Sequence, residues 1–219
     1  MIFVNFKVYK QGTGEDAVTM AGVLEEVALE TQVKIVPVVQ ASDIKEVTQN
    51  SKLEVWSQHV DPVDYGAHTG AVLAEALLED GAVGTFLNHS ENKFKSFHDL
   101  EAAAGRAANV GLKTLIFAAN LRELKKILEL SPTYAAYEPP ELVGSTKTSV
   151  AESKPGVISK AFEITKQKGI PLIVGAGIKS QEDIRISLQL GAVGVAVASD
   201  VVKAEDPKKE LLELIEGYN

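Results

Sequence analysis

Residues Ser96–Phe117 read SFHDLEAAAGRAANVGLKTLIF, and the two halves of the stretch have different periods. In the first half Leu100, Ala103, Ala104, Ala107 and Ala108 recur at the spacing of one helix face, with Ser96 placed to cap it. In the second half Leu112–Phe117 is a short, nearly continuous apolar run, the pattern of a strand buried on both faces of a parallel sheet. The same alternation extends in both directions. The other apolar runs are Ile2–Lys7, Val33–Val38, Leu53–His59, Val83–Asn88, Thr133–Glu138, Ile170–Gly175 and Val193–Val197. Helical patterns lie between them; Ala17, Met20, Ala21, Leu24, Val27 and Ala28 form one stripe, with Glu25 and Glu26 outside it.

From Lys7, ending the first run, to Val197, ending the eighth, is about 190 residues in seven steps, or about 27 per strand–helix unit. Regular alternation at this spacing implies right-handed crossovers onto a parallel sheet. Eight units predict an α/β protein whose residues 1–219 form one closed (β/α)8 barrel; an open doubly wound sheet is the alternative. Gly81-Ala82-Val83-Gly84 before the fourth strand is echoed by Gly191-Ala192-Val193-Gly194 before the eighth. The longest stretch without periodicity, Pro139–Ser153, follows the sixth strand, on the face where such barrels keep their chemistry, and its length suits a lid.

Composition narrows the function. The 219 residues are 45% hydrophobic, enough for a core that needs no disulfide or metal staple. There is no cysteine, which removes thiolate metal sites and thiol nucleophiles and suits a reducing, cytoplasmic compartment. Thirty acidic against 22 basic residues give a net charge of −8, which argues against nucleic acid or an anionic membrane as partner. No apolar run approaches a membrane span, and the opening MIFVNFKVYK lacks the pattern of a signal peptide.

The C-terminal ends of the strands carry the polar residues. In order they are Asn5 and Lys7, Gln58 and His59, Asn88-His89-Ser90-Glu91, and Glu138. Polar groups ending apolar strands are costly to desolvate unless paired, so their concentration at one end marks a site. Singly, Lys7 reads equally as a rim lysine, His89 as a structural hydrogen-bonder and Glu138 as the partner of a lysine. Together they set a base, an acid/base and a cation around one mouth. Gly144-Ser145, Gly175-Ala176-Gly177 and Ala198-Ser199 follow strands six, seven and eight; small residues there let backbone N–H groups approach an anion. No His, Asp and Glu set has metal-ligand spacing, and His59 with His68 reads as polar loop chemistry.

These residues resemble a known family. Asn5-Phe6-Lys7, Gly66-Ala67-His68-Thr69-Gly70, Asn88-His89-Ser90-Glu91, Tyr137-Glu138-Pro139-Pro140-Glu141-Leu142-Val143-Gly144 and Val197-Ala198-Ser199 look like triosephosphate isomerase, and the Glu-Pro-Pro-Glu-Leu form is similar to its archaeal branch. The resemblance covers essentially the whole chain. It implies a TIM barrel that interconverts dihydroxyacetone phosphate and glyceraldehyde 3-phosphate through an enediolate, with no metal and no cofactor. By resemblance Glu138 matches the base, His89 the neutral electrophile and Lys7 the electrostatic residue, a division of labour for which this family is the standard worked case. Asn5 and Glu91 match the residues that flank and orient them. Asn5, Phe6, Lys7, Val143, Gly144, Gly177, Ala198 and Ser199 match the substrate and phosphate contacts, and Pro139–Thr146 the closing lid. The loop Tyr65–Gly70 matches one that inserts into a neighbouring subunit, Thr69 reaching toward the neighbour's Asn5 and His89, so a homodimer or homotetramer is expected.

Three positions depart from the family pattern. Thr146 stands where most relatives have a lid glycine. Phe117 stands where a cysteine is usual near the base. Asp200 stands where archaeal relatives commonly have glycine, and reads as a cap of the last short helix pointing to solvent. Another phosphosugar isomerase or epimerase, and a non-catalytic barrel that binds a phosphorylated metabolite, are the competing functions.

Overall fold

The computed structural model describes residues 1–138 and 155–218. Eight strands pair in parallel in chain order, and the eighth returns to the first, so the sheet closes. They are β1 Ile2–Asn5, β2 Ile35–Val39, β3 Trp56–Ser57, β4 Gly84–Leu87, β5 Lys113–Ala118, β6 Tyr134–Tyr137, β7 Leu172–Val174 and β8 Gly194–Val197. Each overlaps one apolar run of the sequence. β3 is much shorter than its run, with only Trp56 and Ser57 pairing. The described helices are α1 Glu15–Thr31, α2 Ile44–Asn50, α3 Ala74–Glu79, α4 Phe97–Val110, α5 Leu121–Ile127, α6 Pro155–Gln167, α7 Gln181–Gln189, α8 Ser199–Val202 and α9 Pro207–Ile215.

Strand side chains alternate between two cores. Phe3, Val38, Trp56, Phe86, Phe117, Ala136 and Ile173 pack together inside the barrel. Their chain neighbours, among them Ile2, Val4, Leu87, Ile116 and Val174, pack outward with the helix faces. Both faces are therefore buried, which is why the runs are continuous rather than alternating. Aromatic rings fill the barrel: Phe3 lies 5.1 Å from Trp56 and Phe86 4.9 Å from Phe117, both edge-on. Gly84, paired with Trp56 across β3 and β4, makes room for the indole; a Cβ there would sit 2.6 Å from the ring.

The period of two also aims the site. Two residues beyond the inward Phe3, Trp56, Ala136 and Ile173 come Asn5, Gln58, Glu138 and Gly175, at the mouth of the barrel. Around it, α4 begins as its sequence indicates: the Ser96 side chain accepts the Asp99 N–H at 3.1 Å. Leu100, Ala103, Ala104 and Ala107 are buried. Ala108 is exposed, because 100° per residue puts it about 80° from Leu100, at the edge of the stripe.

The repeated Gly-Ala-Val-Gly has a shared physical cause. Gly81 (φ +96°) and Gly191 (φ +101°) each end a helix in the left-handed region. After α3 the N–H of Ala82 donates to Leu77 and that of Gly81 to Leu78; after α7 Ala192 donates to Ser187 and Gly191 to Leu188. These are Schellman closures of two helices that feed the next strand in the same way. The second glycine of each tetrapeptide starts that strand where there is no room for a Cβ, against Trp56 at Gly84 and against the Met1 carbonyl at Gly194.

Gly194→Ala should therefore lower the melting temperature by at least about 4 °C, since the clash is with the backbone that closes the barrel. Gly22→Ala, in α1 with nothing within 4 Å of the new Cβ, should raise it by about 1–4 °C. Thermal melts of the two variants showing equal shifts would contradict this account of Gly194.

Candidate functional site

The mouth of the barrel holds a cavity of about 140 Å³, lined among others by Asn5, Lys7, His89, Phe117, Glu138 and Ser199. Glu138 is 4% exposed. Its N–H continues the β6 ladder to the Ala118 carbonyl at 2.9 Å, which carries the inward parity one residue past the strand. One carboxylate oxygen, Oε2, accepts the Ser90 N–H at 3.3 Å, and Oε1 lies 3.3 Å from His89 Nε2.

His89 reaches the mouth because of its neighbour. Asn88 is left-handed (φ 61°), and its side-chain amide donates outward to the Phe117 carbonyl at 3.0 Å and to Glu123 Oε1 at 2.9 Å. That twist breaks the strand alternation and delivers residue 89 to the cavity instead of residue 88. His89 Nδ1 accepts the Glu91 N–H at 3.2 Å, which leaves Nε2 as the ring's donor nitrogen, facing Glu138. The Asn92 N–H donates to the His89 carbonyl at 2.9 Å, a turn directly after the histidine and well before α4. Phe117 packs edge-on against the imidazole, with centroids 4.9 Å apart. The larger side chain expected to need space near the base finds it beside Gly175, where a Cβ would lie 3.2 Å from the Phe117 ring.

Lys7 is built in the same way. Its backbone is left-handed (φ 48°), its N–H donates to Asn5 Oδ1 at 3.0 Å, and its carbonyl accepts from Gln58 Nε2 at 2.8 Å. Nζ meets Glu91 Oε1 at 2.7 Å. Asn5, Lys7, His89, Glu91 and Glu138 are thus brought together from three strands. Behind them Glu123 ties β4 to β5: it accepts from Asn88, from the Ala119 N–H at 2.7 Å and from Lys93 Nζ. Burial alone would raise the Glu123 carboxyl, but Lys93 and these two N–H groups outweigh it and hold it below the ordinary carboxylate range.

Gly177 (φ 66°), Ala198 and Ser199 line the same cavity on its β7–β8 side. Phe6 does not. It is fully buried in the outer core, because it points outward between Asn5 and Lys7. Asp200 is not the cap of α8 either. Ala198 holds the N-cap position with no side-chain bond, and its carbonyl accepts the Val201 and Val202 N–H groups. Asp200 is the second residue of the helix, exposed, at the rim of the cavity. Val143, Gly144, Thr146 and the stretch Pro139–Ser153 lie outside the described residues.

Gln58, singled out from sequence as a polar strand end without an assigned role, supports the Lys7 carbonyl. One charged residue lining the cavity escaped selection from sequence. Lys179 lies two residues beyond the glycine turn after β7 and lines the cavity. His59 pairs with Asp61 at 3.2 Å and stacks on Phe94 at 5.2 Å, so it serves the next loop rather than a metal. Among the described residues no group of three or more His, Asp or Glu side chains is arranged so that it could hold a metal ion.

A buried carboxylate faces an imidazole nitrogen, with an ammonium beside them, at the mouth of a (β/α)8 barrel. The family model described as triosephosphate isomerase matches residues 1–218. The triosephosphate isomerase of Metallosphaera sedula is 41% identical over 218 residues, covering 99% of this chain and 95% of that one. That of Methanocaldococcus jannaschii is 36% identical over 217 residues, 98% of each chain. The crystal structure of triosephosphate isomerase from Bartonella henselae superposes with a TM-score of 0.75 over 96% of both chains at 20% identity, a likeness of fold. The match from end to end, with the motifs of strands one, four and six in place, settles the relationship: this chain belongs to the triosephosphate isomerase family.

Proposed function

We propose that Glu138, His89 and Lys7 carry out the family's reaction, the interconversion of dihydroxyacetone phosphate and glyceraldehyde 3-phosphate. The observation that carries the reading is the facing pair, the buried Glu138 carboxylate and the Nε2–H of His89, at 3.3 Å. Glu138 removes a proton from the carbon beside the substrate carbonyl and returns it to the neighbouring carbon; no electrons leave the substrate. His89 donates its Nε2–H to the carbonyl oxygen as charge develops and takes up the proton of the neighbouring hydroxyl. The O–H proton thus moves between the oxygens as the C–H proton moves between the carbons, and Lys7 stabilises the enediolate as a cation. The 3.3 Å bond from Ser90 to Glu138 is long, so the carboxylate turns away from it at little cost to reach carbon. Asn5 and Gln58 hold the Lys7 backbone, and Glu91 holds both the Lys7 ammonium and His89 Nδ1. Gly177, Ala198 and Ser199 serve the phosphate, and Val143, Gly144 and the lid Pro139–Thr146 keep their assigned parts as expectations from the family. Among the described residues no helix is long and apolar enough to cross a membrane, and the reading places the enzyme in the cytoplasm.

Assembly belongs to the same reading. A second cavity of about 450 Å³ adjoins Lys7 and His89 and is floored by Val8, which is 76% exposed. The loop Tyr65–Gly70 is exposed throughout, with Tyr65 at 69%, and is held at its base by Asp64 paired with Arg106 at 2.7 Å. An exposed loop and a cavity beside the site suit a homo-oligomer, dimer or tetramer, in which each copy's loop completes its neighbour's site.

A coupled assay with glyceraldehyde 3-phosphate, run with and without chelator, tests the activity; turnover is expected in both. Glu138→Gln should lower kcat at least about 10²-fold with the melting curve retained, and survival within about threefold would remove Glu138 as the base. His89→Ala should reduce turnover while sparing the affinity of a phosphate-bearing inhibitor, whereas Lys7→Met should harm both, because its charge faces the anion in ground and transition states alike. Equal losses in calorimetric titrations would mean the two roles are misassigned. Light scattering at assay concentration should find an oligomer; a fully active monomer would refute the assembly.

A further inference from the structure

The charges lining the main cavity do not suit a phosphate dianion unless one further residue takes part. Among the described residues four charged ones line it: Lys7, Glu138, Lys179 and Asp200. The Lys7 ammonium is already paired with Glu91 at 2.7 Å. Glu138 and Asp200 are anions, and the whole chain carries −8. Lys179 is half-buried in the loop between β7 and α7, and its ammonium has no carboxylate or hydrogen-bond partner among the described residues. Among the described residues it is the cation of the cavity wall that has no side-chain partner.

Local structure makes this more than a stray lysine. The Lys179 N–H donates to Asp183 Oδ2 at 3.1 Å, the oxygen that also takes the Ser180 N–H at 3.1 Å and the Ser180 hydroxyl at 2.9 Å. The capping box of α7 therefore fixes the Lys179 backbone and uses the nearest carboxylate on its own element. On the facing element, α8, Asp200 is exposed and Ser199 lines the wall. On the β1 side, Lys203 lies over the Tyr9 ring, 5.2 Å from its centroid. A partly buried ammonium without a counter-ion is unfavourable in an acidic protein rich in possible partners, unless an anion completes it.

Resting on the proposed function, we infer that Lys179 is a substrate-binding residue whose ammonium pairs with the phosphate of the triose phosphate and offsets the repulsion of Asp200. Lys7 then faces both the reacting carbons and the phosphate, and Lys179 the phosphate alone. Because the phosphate does not change in the reaction, Lys179 binds ground and transition states alike and acts on KM rather than kcat.

The test is steady-state kinetics at low ionic strength on wild type, Lys179→Met, Asp200→Asn and Lys208→Met. Lys208, in α9 and paired with Glu26 and Glu30, controls for the loss of one positive charge anywhere on the protein. Lys179→Met should raise KM for glyceraldehyde 3-phosphate about tenfold with kcat within about twofold, the size of one charge-assisted contact. Asp200→Asn should lower KM about two- to fivefold, and added salt should shrink both effects. Unphosphorylated glyceraldehyde should be turned over equally by wild type and Lys179→Met. A KM shift under twofold, or one matched by Lys208→Met, overturns the inference, as does an equal loss with glyceraldehyde. Calorimetric titration with inorganic phosphate separates this from the function itself. Wild type that binds phosphate through Lys179 but turns over no triose phosphate would sink the proposed reaction and keep the lysine's role. Wild type that turns over, with phosphate affinity indifferent to Lys179, would do the reverse.

Discussion

Closure of the sheet between β8 and β1 is the constraint on which the other features depend. Ile2 pairs with Val195 and Val4 with Val197, and the Met1 carbonyl accepts both the Val195 N–H at 3.2 Å and the Tyr218 hydroxyl at 2.6 Å. Closing a ring of eight strands leaves no edge to choose a register, so the inward parity of every strand is fixed at once. Asn5, Gln58, Glu138 and Gly175 face one another at the mouth because Phe3, Trp56, Ala136 and Ile173 face one another below. An open sheet with the same strands would place β1 and β8 at opposite edges and separate Lys7 from the loops after β7 and β8.

On that frame, two residues break the regular backbone where the chemistry is. Left-handed conformation costs a residue with a Cβ about 1–2 kcal/mol, and both Lys7 and Asn88 adopt it. Each is held by two hydrogen bonds, to Asn5 and from Gln58 in one case and to Phe117 and Glu123 in the other. At about 1 kcal/mol net for each bond, the supports match the strain. The arrangement explains why Asn5, which contributes no charge, and Gln58, on the neighbouring strand β3, belong with the reacting groups. They keep an ammonium at an angle that an extended strand would not give.

The fold was legible because periodicity is a local property. Buried strands and helix faces are written in the order of apolar residues, and the regular spacing carries the closure. The site was legible only in part. Glu138 and Asn5 follow from parity, and His89 was recognised by its motif, but the twist at Asn88 that aims it leaves no periodic mark. Phe6 was misplaced because its motif neighbours, Asn5 and Lys7, face the cavity while parity turns it into the outer core. Asp200 was misread as a cap, since a short helix after a strand end can start two positions earlier than its polar residues suggest. Lys179 gave no signal at all. A lysine next to a capping serine is ordinary until the loop after β8 is folded beside it.

An acidic enzyme that takes an acidic substrate must solve its electrostatics locally, and the cavity does so by keeping its ion pairs unequal. The Lys7–Glu91 pair is tight but open to water on the glutamate side, where Glu91 is half exposed, so solvent screens the acid more than the deeper ammonium. Glu138 is deeper still, with N–H donors rather than a cation against it, and a base so placed stays reactive toward carbon-bound protons. Salt-bridging Glu138 to a lysine would neutralise the cavity more completely and would also lower the basicity the reaction needs. Charge balance at the mouth is therefore met beside the base and across from it, and not on it. The same requirement that leaves the carboxylate free of a counter-ion asks for a cation at the far end of the cavity, where the loops after β7 and β8 meet.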